Sequence, residues 1–370
     1  MHLFQAEQSK LADIKATLSD DELDEIISKT VQLKKLQATD DSPEAKATIP
    51  SLELKDLKRE VTEYPIAVTE NEKNTGVTVI RHELTSTSGI AYANFGVDLS
   101  GISLDDVPLL PLFGRLLKEA GAGDYDDVQL SRAIGTHTGG IQLTLVTTPV
   151  TPEGADESAV TDGNHLVTKL VFKGKATNEN VDKLFVIYQL ILTDAKLDSQ
   201  SKVIEMLKQS HLHLESSIQG SGHSYSNTRM RARYSVPGYI DEKMGGVSYL
   251  TSVKQLLKQA KDDWPSLLAH PENIRNTIHD KKTVRNGMFR DVMGDKKVLD
   301  TIKPSIEKFL NDLPGDSNGE KMLDFYKYDH PWIAQTKKEM KEMAPLMDEG
   351  FNCSHSSVTC RKEQKDLRRR

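Results

Sequence analysis

The chain of 370 residues has almost no cysteine: the two it holds, Cys353 and Cys360, fall in its last 20 positions. That excludes a disulfide framework and points to a reducing or neutral compartment. Their Cys-x6-Cys spacing matches no zinc ribbon, and only His355 lies near them as a third ligand, so no metal site is expected there. No apolar run approaches the ~20 residues needed to span a bilayer, which predicts a soluble protein with no membrane partner. The amino terminus, Met1 to Glu7, lacks both the Arg-rich, acid-poor character of a transit peptide and the apolar core of a secretory signal; no targeting segment is expected. Basic residues are in deficit, 48 against 55 acidic ones, and their only dense cluster is Arg368-Arg369-Arg370. A formal charge of −7 argues against a nucleic-acid partner.

Catalytic strings are missing as well. None of the 11 histidines belongs to His-x-x-Glu-His, the arrangement that puts two imidazoles and a general-base Glu on one helix face. His82-Glu83 opens the forward motif His-Glu-x-x-His, but its fifth position is Ser86. His211-x-His213-x-Glu215 gathers suitable residue types, yet a spacing of two turns the imidazoles about 200° apart on a helix. Gly220-Ser221-Gly222-His223 suggests an anion-cradling turn but lacks the Lys-Ser/Thr of a phosphate loop and the third Gly of a dinucleotide loop. The one Gly-x-Ser-x-Gly string, Gly315-Asp316-Ser317-Asn318-Gly319, follows an expected helix and a Pro rather than a strand, so it lacks the strand-turn-helix setting of a nucleophile elbow. The expected set of catalytic, cofactor-binding and metal-ligating residues is therefore empty.

What is present is an ordinary globular composition, 37% hydrophobic and 28% charged, with room for two compact units. Residues 7–38 read as a helical hairpin. Leu11, Ile14 and Leu18 form one apolar stripe; Ser19 with Glu22 forms a capping box; Leu23, Ile26, Ile27, Thr30, Val31 and Leu33 form a second stripe. Alternating segments at 66–69, 76–84 and 90–99 predict strands, and a helix is expected over 107–119, ended by Gly121 and Gly123. A second helix at 126–134 and a strand pair at 139–149 and 166–173 follow. Helices are then expected over 181–192, 202–218, 228–236 and 247–260, a strand over 283–292 and a helix over 298–310. Pro237-Gly238 and Gly245-Gly246 serve as breaks. The fold class is α+β: a helical hairpin followed by an antiparallel sheet covered by helices on one face. Arg229, Arg231 and Arg233 fall on at least two helix faces and are expected on a solvated or interdomain surface.

Several short segments carry more than composition. They are Leu18-Ser19-Asp20-Asp21-Glu22-Leu23, Ile49-Pro50-Ser51-Leu52, Asp98-Leu99-Ser100-Gly101, Leu110-Pro111-Leu112-Phe113, Thr138-Gly139-Gly140-Ile141, the run from Gly220 to Leu250 with Arg229-Met230-Arg231-Ala232 and Gly245-Gly246-Val247-Ser248-Tyr249-Leu250, and Arg285-Asn286-Gly287-Met288. In this order, over roughly residues 7 to 351, the chain resembles the non-catalytic half of presequence proteases, the organellar branch of the pitrilysin-type zinc metalloendopeptidases. The resemblance implies a division into a connector hairpin (1–60), a catalytically empty pitrilysin-like α+β domain (61–315), the start of a linker to a last domain (316–351) and an aberrant tail (352–370).

The same resemblance implies that such a half walls a closed chamber in which peptides are cut by zinc-activated water held on the opposite half, in the mitochondrial matrix or plastid stroma. Peptide substrates and the catalytic half are the implied partners. Zinc belongs to the intact enzyme and no cofactor to this chain. An Arg and a Tyr that the family's last domain contributes have no counterpart here. Aligning Gly121 with the helix-ending Gly of the family's catalytic copy places the zinc-motif positions near Leu112, Arg115 and Leu116. After Phe351 the family pattern stops; one permitted back-translation from residue 352 onward, read one nucleotide later, restores Thr-Val-Pro-Thr-Gln-Val, so a frameshift or mispredicted exon junction is expected. The alternative reading is a free-standing peptide-binding or regulatory subunit that pairs with a separate catalytic half.

Overall fold

The structure, a computed structural model, describes residues 11–12, 14–57, 59–60, 63–69, 77–150, 166–279, 288–313 and 330–342. The chain divides into two units, Met1–Glu63 and Tyr64–Arg370. In the first, residues 14–17 are helical and helix α1 spans Asp20–Ala38. Its start is the expected capping box: the Glu22 carboxylate accepts from Ser19 N at 2.9 Å while Ser19 Oγ accepts from Glu22 N. A short helix α2, Pro43–Ala47, follows. Neither helix has a buried residue, and Ile26, Ile27, Val31, Leu33 and Leu36 are exposed along α1.

The second unit is built on a six-stranded sheet, β1 (Ala67–Thr69), β2 (Thr78–Glu83), β3 (Ile90–Asp98), β4 (Ile141–Pro149), β5 (Leu166–Thr177) and β6 (Phe289–Gly294), in the order β1-β2-β6-β3-β5-β4. All pairings are antiparallel except β2 with β6. Alternation decides the faces: Ala91, Ala93, Phe95 and Val97 of β3 and Leu166, Leu170 and Phe172 of β5 point into the core.

The helices are α3 (Leu110–Glu119), α4 (Asp127–His137), α5 (Val181–Thr193), α6 (Gln200–Gly220), α7 (Gly222–Arg231), α8 (Val236–Gly245), α9 (Val247–Asp262), α10 (Trp264–Ile278), α11 (Lys296–Asp312) and α12 (Trp332–Glu342). Phe95 and Phe172 stack at a centroid separation of 4.3 Å; Tyr188 of α5 meets them at 5.0 and 6.2 Å, and Phe309 of α11 meets Phe95 at 5.2 Å. The Tyr188 hydroxyl, fully enclosed, donates to Ala93 O at 2.8 Å, so the burial of its polar tip is compensated.

Several expectations are corrected. The helix expected from Val107 begins as a 3-10 turn, Leu104–Leu109, and becomes α-helical only at Leu110, because Pro108 and Pro111 each remove a backbone donor. The helix expected over 228–236 is α7, which starts at Gly222 and stops at Arg231. Pro237-Gly238 is not a break: it forms the first turn of α8, where proline sacrifices no hydrogen bond and Ser235 Oγ accepts from Gly238 N. Helices α10 and α12 were not expected; in α10, Pro265 lies in the opening turn and Pro271 is carried within the helix. The final strand covers 289–294; residues 283–287 of the expected strand lie outside the described residues, as do Arg285, Asn286 and Gly287.

At one end of β3 and β5 a polar cluster is enclosed. Asp98 Oδ2 takes Lys169 Nζ at 2.5 Å, and Asp98 Oδ1 accepts from the Ser100 amide at 2.8 Å and from its hydroxyl. Lys169 is held below its ordinary pKa by burial, against the pull of Asp98. Beside it His330 Nδ1 accepts the Trp332 amide at 3.2 Å, so Nε2 carries the proton and donates to Thr168 Oγ1 at 2.9 Å. Burial, with Lys169 adding to it and Asp98 opposing, pushes the imidazole down to about 4. An imidazole titrating near 6.5 unfolded and about 4 folded stabilises the fold fully above pH 6.5 and loses that contribution as the pH falls through 4. Urea titrations from pH 7 to pH 4 are expected to show a loss of about 3 kcal/mol from this source. The His330→Gln variant is expected to flatten that slope.

The cleft over helix α3 and the motif helices

Helix α3 carries Leu112, Arg115 and Leu116, near which the resemblance would place the zinc motif of a catalytic copy. Its apolar residues recur at helical spacing, and Leu110, Leu112, Phe113, Leu116 and Leu117 are all buried. Leu112 and Leu116 are 4% and 0% exposed and offer no donor atom. Arg115 points the other way and is engaged: its guanidinium meets Glu119 Oε2 at 2.9 Å, Gln209 Oε1 at 2.8 Å, Ser210 Oγ at 3.2 Å and Met206 O at 3.1 Å. It fastens α3 to α6. Two alkyl side chains and a committed cation do not fit a zinc ion. The helix ends where expected, at Gly121, whose φ of +91° and closeness to Tyr125 O leave no room for a side chain.

The other histidine candidates are dispersed. His211 Nε2 meets Glu215 Oε1 at 3.0 Å and Lys254 Nζ meets the same oxygen at 3.2 Å, the lysine holding the Glu215 carboxyl below its usual range. His213 is exposed on another side of α6, as its spacing requires. His82 bonds Pro65 O through Nδ1 at 3.0 Å and faces Asp291 at 3.5 Å. Among the described residues no three His, Cys, Asp or Glu side chains converge as a metal site, and no helix is long and apolar enough to cross a membrane. Cys353, Cys360, His355 and Arg368-Arg369-Arg370 lie outside the described residues.

Gly220-Ser221-Gly222-His223 is a junction between α6 and α7. The Ser221 carbonyl is occupied by the amides of Ser224 and Tyr225, opening the next helix. Arg229 corrects the expectation of a solvated arginine surface. It is 4% exposed; its Nη1 meets Glu242 Oε1 at 3.1 Å and Ser248 Oγ at 2.7 Å, while the Ser248 amide donates to the same Glu242 oxygen at 2.9 Å. Glu242 is fully enclosed, and burial raises its carboxyl above the usual range despite these partners. The reason for Gly246 is steric: a Cβ there would come within 1.8 Å of Glu242 Oε2. Arg231 remains on the surface, paired with Asp241 at 3.2 Å, and Arg233 is exposed. Glu242 is not singled out by the sequence, and Ser248 only as part of the segment from Gly245 to Leu250; thirteen and nineteen positions from Arg229, on other helices, they give no local spacing signal.

Helices α3 and α8 leave a cleft of about 450 Å³ over the outer strand β4, lined by Leu110, Gly114, Leu143, Leu145, Leu170 and Met244, with Arg115 and Lys118 on the α3 side and Asp241 on the α8 side. It is apolar at its base; its one carboxylate, Asp241, is paired with Arg231, and no imidazole, thiol or second carboxylate lines it.

Comparison with known proteins gives a consistent set of likenesses. The family model described as peptidase M-16C associated matches residues 2–256. Presequence protease 1, chloroplastic/mitochondrial, of Arabidopsis thaliana is 33% identical over 85% of this chain and 27% of its own length. Protein HypA of Clostridium perfringens is 26% identical over 82% of this chain and 29% of its own. The mitochondrial presequence protease of Saccharomyces cerevisiae is 26% identical over 86% and 31% respectively. The chain thus spans under a third of the length of these curated relatives.

The buried pair gives a stability prediction. Arg229→Ala leaves an enclosed carboxylate without its cation and is expected to cost roughly 3–5 kcal/mol in urea denaturation. The double variant Arg229→Met/Glu242→Leu, which removes both charges, is expected to be markedly less damaging than Arg229→Ala alone.

Proposed function

As the chain belongs to the peptidase M-16C associated family and corresponds to the non-catalytic region of presequence-protease-type enzymes, we propose that it works as the empty half of a peptide-degrading metalloendopeptidase. In this reading the Tyr64–Arg370 unit forms one wall of a chamber, the Met1–Glu63 unit connects it to the zinc-bearing half, and short unstructured or targeting peptides are the substrates. The observation that carries it is helix α3: where a catalytic copy would present metal ligands, this one has Leu112 and Leu116 buried in the core and Arg115 bound to α6. A helix so committed contributes shape and rigidity, and hydrolysis is left to the other half.

Relatives named as mitochondrial or chloroplastic support a mitochondrial or plastid setting, and the clostridial relative extends the same scaffold to a bacterium.

The test is cleavage of a quenched fluorescent peptide of presequence length. The purified chain alone is expected to release no product, with zinc or with chelator. Adding a separately expressed zinc-bearing half of a presequence protease is expected to yield chelator-sensitive cleavage that exceeds that of the added half alone. Chelator-sensitive hydrolysis by the chain alone would overturn the reading, and an added half that gains nothing from this chain would remove the chamber-wall role.

A further inference from the structure

Among the described residues, the two edges of the sheet are unlike. One is β1, three residues long; the other is β4, nine residues, Ile-Gln-Leu-Thr-Leu-Val-Thr-Thr-Pro, with no charge anywhere and proline only at its end. Exposed edges are normally blunted by shortness, charge or a bulge, because their unpaired N–H and C=O groups recruit further strands. β4 has none of these along residues 141–148, and those from Leu143 to Thr147 are half-buried. The cleft beneath α3 and α8 lies against the same strand, taking Leu143 and Leu145 as part of its lining. A strand added outside β4 would direct alternate side chains to the cleft side of the sheet and the others to the opposite face.

Charge separates the two faces of such a strand. On the face away from the cleft, Lys173 and Lys175 of β5 are exposed, and Lys173 stands opposite Gln142 of β4. Neither lysine makes an ion pair among the described residues, and neither does Lys118 in the cleft lining. The carboxylate in that lining, Asp241, is paired with Arg231. An added strand lies two strand spacings, about 10 Å, from β5, a gap that a lysine and a glutamate side chain span together. We propose that β4 accepts, as a seventh strand, an extended polypeptide segment in which apolar residues alternate with acidic ones, the apolar side chains entering the cleft and the carboxylates meeting Lys173 and Lys175. Backbone hydrogen bonds to the edge provide affinity, and the alternation provides selectivity. This binding belongs to the chain itself and stands whether or not a zinc-bearing half is present.

Fluorescence anisotropy of the full chain at low ionic strength, with a labelled octapeptide alternating leucine and glutamate, tests it. Saturable binding is expected, at least about tenfold tighter than for the leucine/lysine counterpart. Gly114→Met fills the cleft from α3; a Cβ at Gly114 meets nothing nearer than Leu143 Cβ at 4.0 Å, so the variant is expected to fold with an unchanged melting temperature and to bind about tenfold more weakly. The Lys173→Glu/Lys175→Glu variant is expected to reverse the preference between the two peptides. Equal binding of both peptides, insensitivity to Gly114→Met, absence of saturable binding, or a stable dimer through β4 that the peptide does not dissociate would each overturn the proposal.

Discussion

The enclosed pair of Arg229 and Glu242 is the constraint on which the helical layer depends. A carboxylate with no exposure is costly unless its charge is met and hydrogen-bonded. Here one oxygen collects the guanidinium of α7 and the amide of Ser248 at the start of α9, and the absent side chain at Gly246 leaves the space for the other. Three successive helices are thereby fixed to one point. The orientation of α8 follows, and with it the positions of Asp241 and Met244 over β4. The segments around Arg229 and Gly246 are those that carry the family likeness, and their role in this chain is packing.

The same economy governs helix α3. A helix has one inner stripe, and a stripe filled by Leu112, Phe113 and Leu116 cannot also present ligands to a metal. Arg115, the polar residue at the aligned positions, is drawn to the side chains and a carbonyl of α6 rather than to a substrate. What survives between α3, α8 and β4 is shape: an apolar cleft beside an unblunted strand edge. That combination suits the holding of extended chains.

Much of this was legible one residue at a time. The capping box at Ser19, the glycine stop at Gly121, the alternation of β3 and β5 and the apolar stripe of α3 are local patterns, and the structure has them where the sequence puts them. Proline misled at Pro237, since its effect depends on whether the amide it removes was needed: Pro237 opens a helix, and Pro271 is carried inside another. The stripes on residues 11–36 were visible as well, and α1 has no buried residue, so its apolar face is a property of sequence that its own unit does not use.

By itself, then, the sequence determined the α+β class, the order of most elements, the family and the apolar character of Leu112 and Leu116, because each is written in neighbouring residues or in a collinear set of short motifs. Tertiary structure decided the rest. Arg229 is a buried tie and not a surface charge because Glu242 and Ser248 reach it from other helices. His330 is kept neutral because it is enclosed beside Lys169, 161 positions earlier and on β5. The identity of β4 as an edge depends on β5, and no other strand among the described residues, pairing with it. Burial, charge pairing and strand order are relations between distant segments, and no window of local sequence contains them.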